Sequence, residues 1–245
     1  MKNTAIIIPT RLEAKRFPNK PLAKINNVPM IVHVLNRAKE SKVGEVFVAT
    51  PDSKIIDLVN QNGGKAILTK SDHLSGSDRV YEAFFNNLKE DVDLIINLQG
   101  DMPNIKPNSI TKLEKLMRTN NCSIGTLASH IEDKNEIIDP NIVKVQVDQK
   151  LSKDSFLIAK DFFRIKKDLQ NEKIYHHIGI YAFTSDALSK YVKLSRSTLE
   201  VERNLEQMRA MQNNIEIKVS LSNSTPLGID TELDLQKVIK EMNLS

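Results

Sequence analysis

The chain has 245 residues, 40% of them hydrophobic and 27% charged, as is typical of a globular protein with a substantial core. Its single cysteine, Cys122, excludes a disulfide framework and argues against a cysteine-rich zinc site. A net charge of +4 suits an anionic substrate, but aromatic residues are only 5% and no dense Lys/Arg block occurs, so no nucleic-acid partner is expected. No apolar run approaches the ~20 residues of a membrane span, and the run at 5–8 is too short for an export signal. We therefore expect a cytoplasmic protein without a membrane partner.

The first 130 residues alternate short apolar runs with segments whose apolar residues recur at helical spacing. Strands are predicted at 5–8, 46–50, 66–68 and 94–98, with helices between them. Pro29 opens the first of these helices, and Gly63-Gly64 closes the second with a left-handed cap. This alternation predicts a three-layer α/β/α fold of Rossmann-like type, with a mainly parallel central sheet.

After about Leu127 the regular alternation of strand and helix patterns ends. Val143, Val145 and Val147 alternate with polar residues, which predicts a half-exposed antiparallel strand, and the lysine-rich residues 160–175 are expected to form a mobile or helical excursion. Further along, the pattern predicts a strand at 178–183 and an amphipathic helix at 199–211. A strand at 215–219 and a closing helix at 231–242 follow. Thr231 and Asp234 have the spacing of a capping pair at the start of the last helix. The sheet should therefore be mixed, with a smaller antiparallel subregion.

The glycine-rich signatures of nucleotide-binding proteins are absent from the sequence. With eight glycines, the chain contains neither Gly-x-Gly-x-x-Gly nor Gly-x-x-x-x-Gly-Lys-Ser/Thr, which argues against a dinucleotide dehydrogenase and a P-loop enzyme. Instead, the loop after the first strand carries Arg11, Lys15, Arg16 and Lys20. Ligands commonly bind at this end of an open α/β sheet, and such cations could hold a triphosphate as charge moves onto a leaving pyrophosphate. Spacing alone leaves open a solvated basic loop that only joins a strand to a helix.

Two aspartates complete the candidate chemistry. Asp101 follows a buried strand in Gln99-Gly100-Asp101, where a carboxylate is well placed to bind Mg²⁺, although this pattern alone slightly favours a turn-forming or helix-capping role. Asp230 stands just before the last helix, where capping is its ordinary role. Only the combination with Asp101 suggests a second metal ligand.

Several motifs together resemble those of 3-deoxy-manno-octulosonate (Kdo) cytidylyltransferases, the CMP-Kdo synthetases. The first loop, with Pro9-Thr10-Arg11 and Arg16-Phe17-Pro18-Asn19-Lys20-Pro21-Leu22, resembles the Pro-x-Arg … Arg-Leu-Pro-x-Lys-Pro-Leu signature of sugar nucleotidyltransferases. The other matching segments follow in the family's order and cover nearly the whole chain: residues 30–34, 48–50, 72–79, 97–101, 141–145, 177–181, 205–209 and 228–231. The segments His177–Tyr181 and Leu205–Arg209 are the more discriminating ones.

The resemblance implies that Kdo attacks the α-phosphate of CTP, giving CMP-Kdo and pyrophosphate for lipopolysaccharide synthesis. It implies a homodimer and a single domain, 1–245, in which 1–127 bind nucleotide, 128–220 bind the sugar acid and dimerise, and 221–245 carry a metal-ligand loop and the closing helix. The implied residue roles form four groups: Asp101 and Asp230 for Mg²⁺; Arg11, Lys15, Arg16 and Lys20 for the triphosphate; Ser75, Gly76 and Gln99 for cytidine; His177, Tyr181, Glu206 and Gln207 for the sugar acid. Without the resemblance, we would interpret His177 as an ordinary strand-end histidine and Tyr181 as a core aromatic residue. Glu206 and Gln207 would be an exposed helix face.

Three departures from the family pattern bear on substrate choice. Glu13-Ala14-Lys15 replaces small hydroxyl residues, residues 154–163 replace a Tyr-Phe-Ser-Arg-x-x-Ile-Pro stretch, and Arg203 stands where a glutamate is expected. Two alternatives therefore stay open. One is a related enzyme acting on another sugar acid, such as an amino-substituted Kdo or a sialic acid; the other is a non-catalytic nucleotide-binding relative.

Overall fold

The computed structural model describes residues 3–13, 16–166 and 173–244. Contacts group the chain into two compact units, Met1–Thr111 with Pro226–Ser245, and Lys112–Thr225.

The first unit is built on a parallel sheet. Its strand order is β5-β4-β1-β6, and a separate pair, β2 and β3, follows the first loop. The strands of this unit are β1 (Asn3–Pro9), β2 (Lys24–Ile25), β3 (Val28–Pro29), β4 (Glu45–Thr50), β5 (Lys65–Leu68) and β6 (Val92–Asn97). Residues 5–8 of β1 are fully buried, which confirms the predicted buried strand.

Helices connect these strands, as the sequence predicted. They are α1 (Met30–Glu40), α2 (Ser53–Gln61), α3 (Gly76–Asn87) and α4 (Pro107–Thr119), which runs past Thr111 into the second unit. Gly63 has a φ of 66°, the left-handed conformation expected of it. The closing helix α9 (Glu232–Leu244) belongs to the first unit, and Thr231 and Asp234 exchange hydrogen bonds of 3.0 and 3.2 Å at its start, which confirms the capping pair.

The second unit is mixed in strand direction. Its order is β10-β7-β11-β9-β8, and β8 also pairs with β10, so that the pairings form a closed circuit. Strand β10 is antiparallel to β7, whereas β11 is parallel to β7. The strands are β7 (Ile124–Ser129), β8 (Lys144–Val147), β9 (Leu157–Phe163), β10 (Lys173–Thr184) and β11 (Ile217–Leu221); the helices are α5 (Asn135–Ile138), α6 (Ser185–Tyr191), α7 (Thr198–Arg203) and α8 (Met208–Gln212). The α/β class is confirmed, with a mixed sheet and helices on both of its sides.

Three local predictions for the second unit were wrong. Strand β8 is antiparallel but not half-exposed: Lys144 and Val145 are at 0% exposure, and the Lys144 ammonium donates to the carbonyl oxygens of Asp139 (2.7 Å) and Ile142 (2.9 Å). Residues 160–163 belong to β9, while 167–172 of the predicted excursion lie outside the described residues. The predicted helix 199–211 is broken between α7 and α8, where Asn204 adopts the left-handed conformation (φ 50°) that asparagine tolerates better than most residues.

Candidate active site

The loop after β1 is fixed at its centre by Leu12. The backbone N–H of Leu12 donates to Asp52 Oδ2 (2.8 Å), and its carbonyl accepts from the Asn19 N–H (3.0 Å). Asn19 has a φ of 56° and begins the short 3-10 turn that carries Lys20. The loop therefore turns back on itself, which carries Lys20 towards the carboxyl end of the sheet. Lys15 lies outside the described residues.

Lys20 brings the two predicted carboxylates together. Its Nζ donates to Asp101 Oδ2 (2.8 Å), to the carbonyl oxygen of Ile229 (2.7 Å) and to Asp230 Oδ1 (3.3 Å). The backbone reinforces this arrangement, because the Ile229 N–H donates to the Asp101 carbonyl (3.1 Å). Segments more than 200 residues apart in sequence thus meet at one ammonium group.

The charges at this point are closely balanced. Burial alone would lower the pKa of Lys20, but the carboxylates of Asp101 and Asp230 outweigh it and raise the pKa above its ordinary value. Arg16 Nη2 lies 2.8 Å from Asp230 Oδ2, in a pair whose side chains are about half exposed. Asp230 therefore contacts two of the predicted cations and leaves the capping of α9 to Thr231.

A pocket of about 520 Å³ opens beside these groups. It is lined by Pro9, Thr10, Arg11, Glu13, Lys20, Pro21, Gln99, Gly100 and Asp101. Gly100 suits the close approach of the ends of β1 and β6, because a Cβ at this position would lie in tight contact, 3.1 Å, with the Pro9 carbonyl oxygen. The glycine in this turn therefore leaves space for the neighbouring strand.

The donor set suits a hard divalent cation that also binds phosphate. No group of three or more His, Cys, Asp or Glu in the described ranges could hold a metal by itself. Asp101 and Asp230 nevertheless reach the same cationic nitrogen, so their carboxylates converge on one point. Mg²⁺ is commonly held by one or two carboxylates together with substrate phosphates, and these residues fit that pattern.

The predicted cytidine residues surround a smaller pocket of about 140 Å³ at the start of α3. Ser75 caps α3, because its Oγ accepts from the Asp78 N–H at 3.2 Å. The amide nitrogen of Gln99 donates to Asn97 Oδ1 (3.1 Å), and the Asn97 amide nitrogen donates to Ser77 Oγ (3.3 Å). This chain of bonds turns Gln99 Oε1 towards Gly76, where a Cβ would lie 3.7 Å from it.

Three residues around these pockets were not assigned a role from the sequence. Asp52 holds Leu12, and its position after β4 at the carboxyl edge of the parallel sheet was the signal that could have identified it. His73 lines the smaller pocket and is hydrogen-bonded to Glu82, whose pKa stays low because this bond outweighs the effect of burial.

The sugar-acid candidates lie in the second unit. His177, 8% exposed, and Tyr181 stand on β10 with ring centroids 5.4 Å apart. Burial, and secondarily the neighbouring His176, lowers the pKa of His177 to about 3, so its imidazole is neutral at physiological pH. The shielded hydroxyl of Tyr181 has no hydrogen-bond partner among the described residues.

Glu206 and Gln207 occupy the turn between α7 and α8 rather than a helix face. The Tyr191 hydroxyl donates to the carbonyl oxygen of Glu206 at 2.7 Å, and Gln207 is 8% exposed. A buried ion pair, Arg209 Nη2 to Glu200 Oε1 at 2.7 Å, braces the helices on either side of the turn.

Two of the sequence departures contact each other. Arg203 Nη1 donates to Asp161 Oδ1 and to the carbonyl oxygen of Phe162 (2.8 Å). Arg203 therefore joins the end of α7 to β9, within the segment 154–163 that differs from the family pattern. The two unusual positions are structurally linked.

The parallel first unit, its cationic loop and its converging aspartates define a nucleotidyltransferase. A family model described as cytidylyltransferase matches residues 5–217. The chain is 45% identical to the 3-deoxy-manno-octulosonate cytidylyltransferase of Thermodesulfovibrio yellowstonii, over 98% of both chains, and 41% identical to that of Brucella anthropi, over 96% and 94%. The chain belongs to the 3-deoxy-manno-octulosonate cytidylyltransferase family.

Solved structures agree with this assignment. A structure of CMP:2-keto-3-deoxy-manno-octonic acid synthetase complexed with CTP superposes with a TM-score of 0.89 at 36% identity, over 99% of both chains. UTP-bound UGPase from Acinetobacter baumannii, at 13% identity and a TM-score of 0.72 over 100% and 94% of the chains, shares the fold. In the ranges that the structure describes, every helix is too short or too polar to cross a bilayer.

Proposed function

We propose that this chain transfers the cytidylyl group of CTP to the anomeric hydroxyl of Kdo, giving CMP-Kdo and pyrophosphate in the cytoplasm for lipopolysaccharide synthesis. The observation that carries the proposal is the convergence of Lys20, Asp101 and Asp230 beside a pocket lined by Arg11. Family membership supports the choice of substrates, because the relatives are named for this reaction.

Asp101 and Asp230 are the residues that would hold Mg²⁺. When bound there, the ion supplies charge neutralisation at the α-phosphate and lowers the pKa of the attacking hydroxyl. The protein's own cations complete the site: Arg11 faces the pocket, Arg16 stands beside Asp230, and Lys20 is already charged and oriented. Lys20 is placed to interact with the charge that develops on the leaving pyrophosphate.

The smaller pocket supports a cytosine base. The Gln99 amide nitrogen donates one of its hydrogens to Asn97, which turns the Gln99 oxygen towards Gly76 as an acceptor for a ligand. An acceptor at this position matches the exocyclic amino group of cytosine and disfavours the carbonyl oxygen that uracil carries in the same place. We therefore expect CTP to be preferred over UTP.

The acceptor is the less constrained substrate. His177, Tyr181, Glu206 and Gln207 offer polar groups suited to a polyhydroxy acid, with Glu206 and Gln207 held between two helices. The Asp161–Arg203 contact, in the same unit, joins two of the departures from the family pattern, and a related sugar acid such as an amino-substituted Kdo is therefore the second candidate.

The deciding experiment is pyrophosphate release from CTP and Mg²⁺ with and without Kdo, followed by mass spectrometry of the product. Parallel reactions with amino-substituted Kdo and a sialic acid identify the acceptor, and UTP replaces CTP in one series. Kdo-dependent release with a CMP-Kdo product is the expected result. Release only with another acid would transfer the proposal to that acid, and CTP binding without turnover on any acid would overturn catalysis.

We also propose a homodimer formed through the second unit. Four large apolar side chains of this unit are exposed: Ile138 (69%), Ile158 (41%), Ile165 (60%) and Val201 (58%). Sedimentation equilibrium should give twice the 27.7 kDa chain mass, and Ile158→Lys should shift the protein towards monomer, with Leu244→Lys as a control at an exposed site of the first unit. A monomeric wild-type protein at micromolar concentration would contradict the proposal.

A further inference from the structure

Thr126 lies beside His177 at a point where strand β10 departs from regular pairing. Thr126 is fully buried on β7 and is paired with Tyr181, and the register between β7 and β10 shifts between Ile178 and Tyr181. The shift brings two carbonyl oxygens of β10 to the Thr126 hydroxyl: Ile180 O at 2.7 Å and Ile178 O at 3.1 Å. The third neighbour of this hydroxyl is His177 Nε2, at 3.0 Å.

A hydroxyl group has one proton to donate, and this fixes the direction of every bond at Thr126. If the proton pointed at His177, both carbonyl oxygens would face hydroxyl lone pairs at 2.7 and 3.1 Å, an unfavourable contact in a buried site. The proton therefore goes to a carbonyl oxygen, and the Thr126 oxygen accepts from His177. His177 must carry its hydrogen on Nε2.

The other ring nitrogen follows from the charge of the ring. His177 is neutral because burial lowers its pKa to about 3. A neutral imidazole has one N–H, so Nδ1 keeps an unshared electron pair. Among the described residues, none forms a hydrogen bond with Nδ1.

Aromatic neighbours hold the ring itself in place. Phe162 packs edge-on against His177 at a centroid distance of 5.0 Å and an interplanar angle of 80°, and Tyr181 packs at 5.4 Å. The backbone N–H of His177 also donates to the Val143 carbonyl at 2.9 Å. The ring is thus held by packing as well as by its hydrogen bond to Thr126.

We propose that Thr126 is a positioning residue that locks His177 in the Nε2–H tautomer, so that Nδ1 accepts a hydrogen bond from a hydroxyl group of the sugar-acid substrate. The lone pair of Nδ1 repels a carboxylate and accepts a hydrogen bond from a hydroxyl group. The fixed tautomer therefore determines which part of the acceptor can bind at His177. This inference rests on the proposed function for the identity of the acceptor, but the tautomer is a property of the protein alone.

The tautomer can be measured directly by ¹⁵N NMR of protein labelled at histidine, at pH 7.5 and without substrates. His177→Gln identifies the His177 signals. The expected spectrum shows a protonated Nε2 and an unprotonated Nδ1 in the wild-type protein and in Thr126→Ser, which keeps the hydroxyl, and a mixture of tautomers in Thr126→Val. A wild-type His177 protonated at Nδ1 would overturn the proposal, even if Thr126→Val did not fold.

Steady-state kinetics test the consequence for the substrate. Thr126→Val should raise KM for the sugar acid by about tenfold, the order expected for one hydrogen bond, and leave KM for CTP within about twofold. Thr126→Ser should restore the wild-type value. Ser220→Ala is the matched control, because it removes a buried β11 hydroxyl that has no partner in the described part of the chain.

The outcomes separate this inference from the proposed function. Equal increases of KM for both substrates, or an unchanged KM for the sugar acid in Thr126→Val, would overturn the positioning role. If the wild-type protein turned over no sugar acid, the proposed function would fail and the role towards substrate with it, while the NMR spectrum would still decide the tautomer.

Discussion

The ammonium group of Lys20 lies 2.8 Å from a carboxylate oxygen of Asp101, across 81 residues of sequence. Both side chains are largely shielded from solvent, at 16% and 28% exposure, so the pair is not a solvated surface contact. Because Asp230 contacts the same ammonium group, the cation offsets two negative charges that would otherwise repel each other. Lys20 thus joins the first loop to both candidate metal ligands.

Asp101→Asn should reduce kcat by at least about 100-fold while the protein remains folded, because it removes one of two charges available to Mg²⁺. Pyrophosphate release at saturating substrates measures the loss, and circular dichroism checks the fold. Asp57→Asn, at an exposed position of α2, is the control and should keep wild-type activity. Near-normal turnover of Asp101→Asn would contradict the assignment of Asp101 as a Mg²⁺ ligand.

Lys20→Ala should raise KM for CTP by roughly 10- to 100-fold, the order expected for a charged hydrogen bond to phosphate, with a much smaller change for the sugar acid. The measurement is a pair of KM values, each at saturating concentration of the other substrate. Lys24→Ala removes an exposed lysine four residues away and serves as control. Comparable losses for both substrates would count against the role assigned to Lys20.

Asp52→Ala should raise KM for CTP about fivefold, because the loop that carries Arg11 and Lys20 loses its bond at the Leu12 N–H. Asp52 precedes α2 without a side-chain capping bond, so the substitution should cost little helix stability. Ser53→Ala, at the neighbouring exposed residue, gives the matched comparison. An unchanged KM for CTP in Asp52→Ala would show that the loop does not depend on this bond.

Local patterns predicted the first unit well because β1, β4 and β6 are buried on both faces and the helices have regular apolar spacing. Residues 5–8 illustrate this, since a fully buried parallel strand is an uninterrupted apolar run. The position of Asp101 after β6 could likewise be predicted, because ligands meet at the carboxyl edge of such a sheet.

The second unit was harder because long-range pairing decides it. Strand β8 has the alternation of a half-exposed strand, yet most of its side chains are buried, and no local signal reports that it pairs with both β9 and β10. The break at Asn204 depends on one residue's left-handed conformation within an otherwise helical pattern. Thr126 gave no signal at all, because its role comes from a register shift in the strand beside it.

Arg203 and Asp161 should behave as a coupled pair in a double-mutant cycle. Arg203→Gln and Asp161→Asn should each lower the free energy of unfolding, and the double variant should lose less than the sum, with a coupling of about 1 kcal/mol for this partly exposed pair. Urea unfolding of the four proteins measures it. Strict additivity would mean that the two departures are energetically independent.

His177 should make the protein less stable in mild acid. Its pKa is about 3 in the folded protein and near 6.5 when unfolded, so below pH 6.5 only the unfolded chain takes up the proton. The stability that the neutral ring provides is complete above pH 6.5 and falls as the pH drops towards 3, by about 2 kcal/mol at pH 5.

His177→Gln cannot take up this proton and should show a shallower decline. Urea unfolding of both proteins at pH 8 and pH 5 gives the comparison, since every other titrating group is common to the two. His33→Gln, which removes a histidine that is hydrogen-bonded to the Ile25 carbonyl in the first unit, is the control. Equal declines for wild-type and His177→Gln would mean that folding does not lower the pKa of His177.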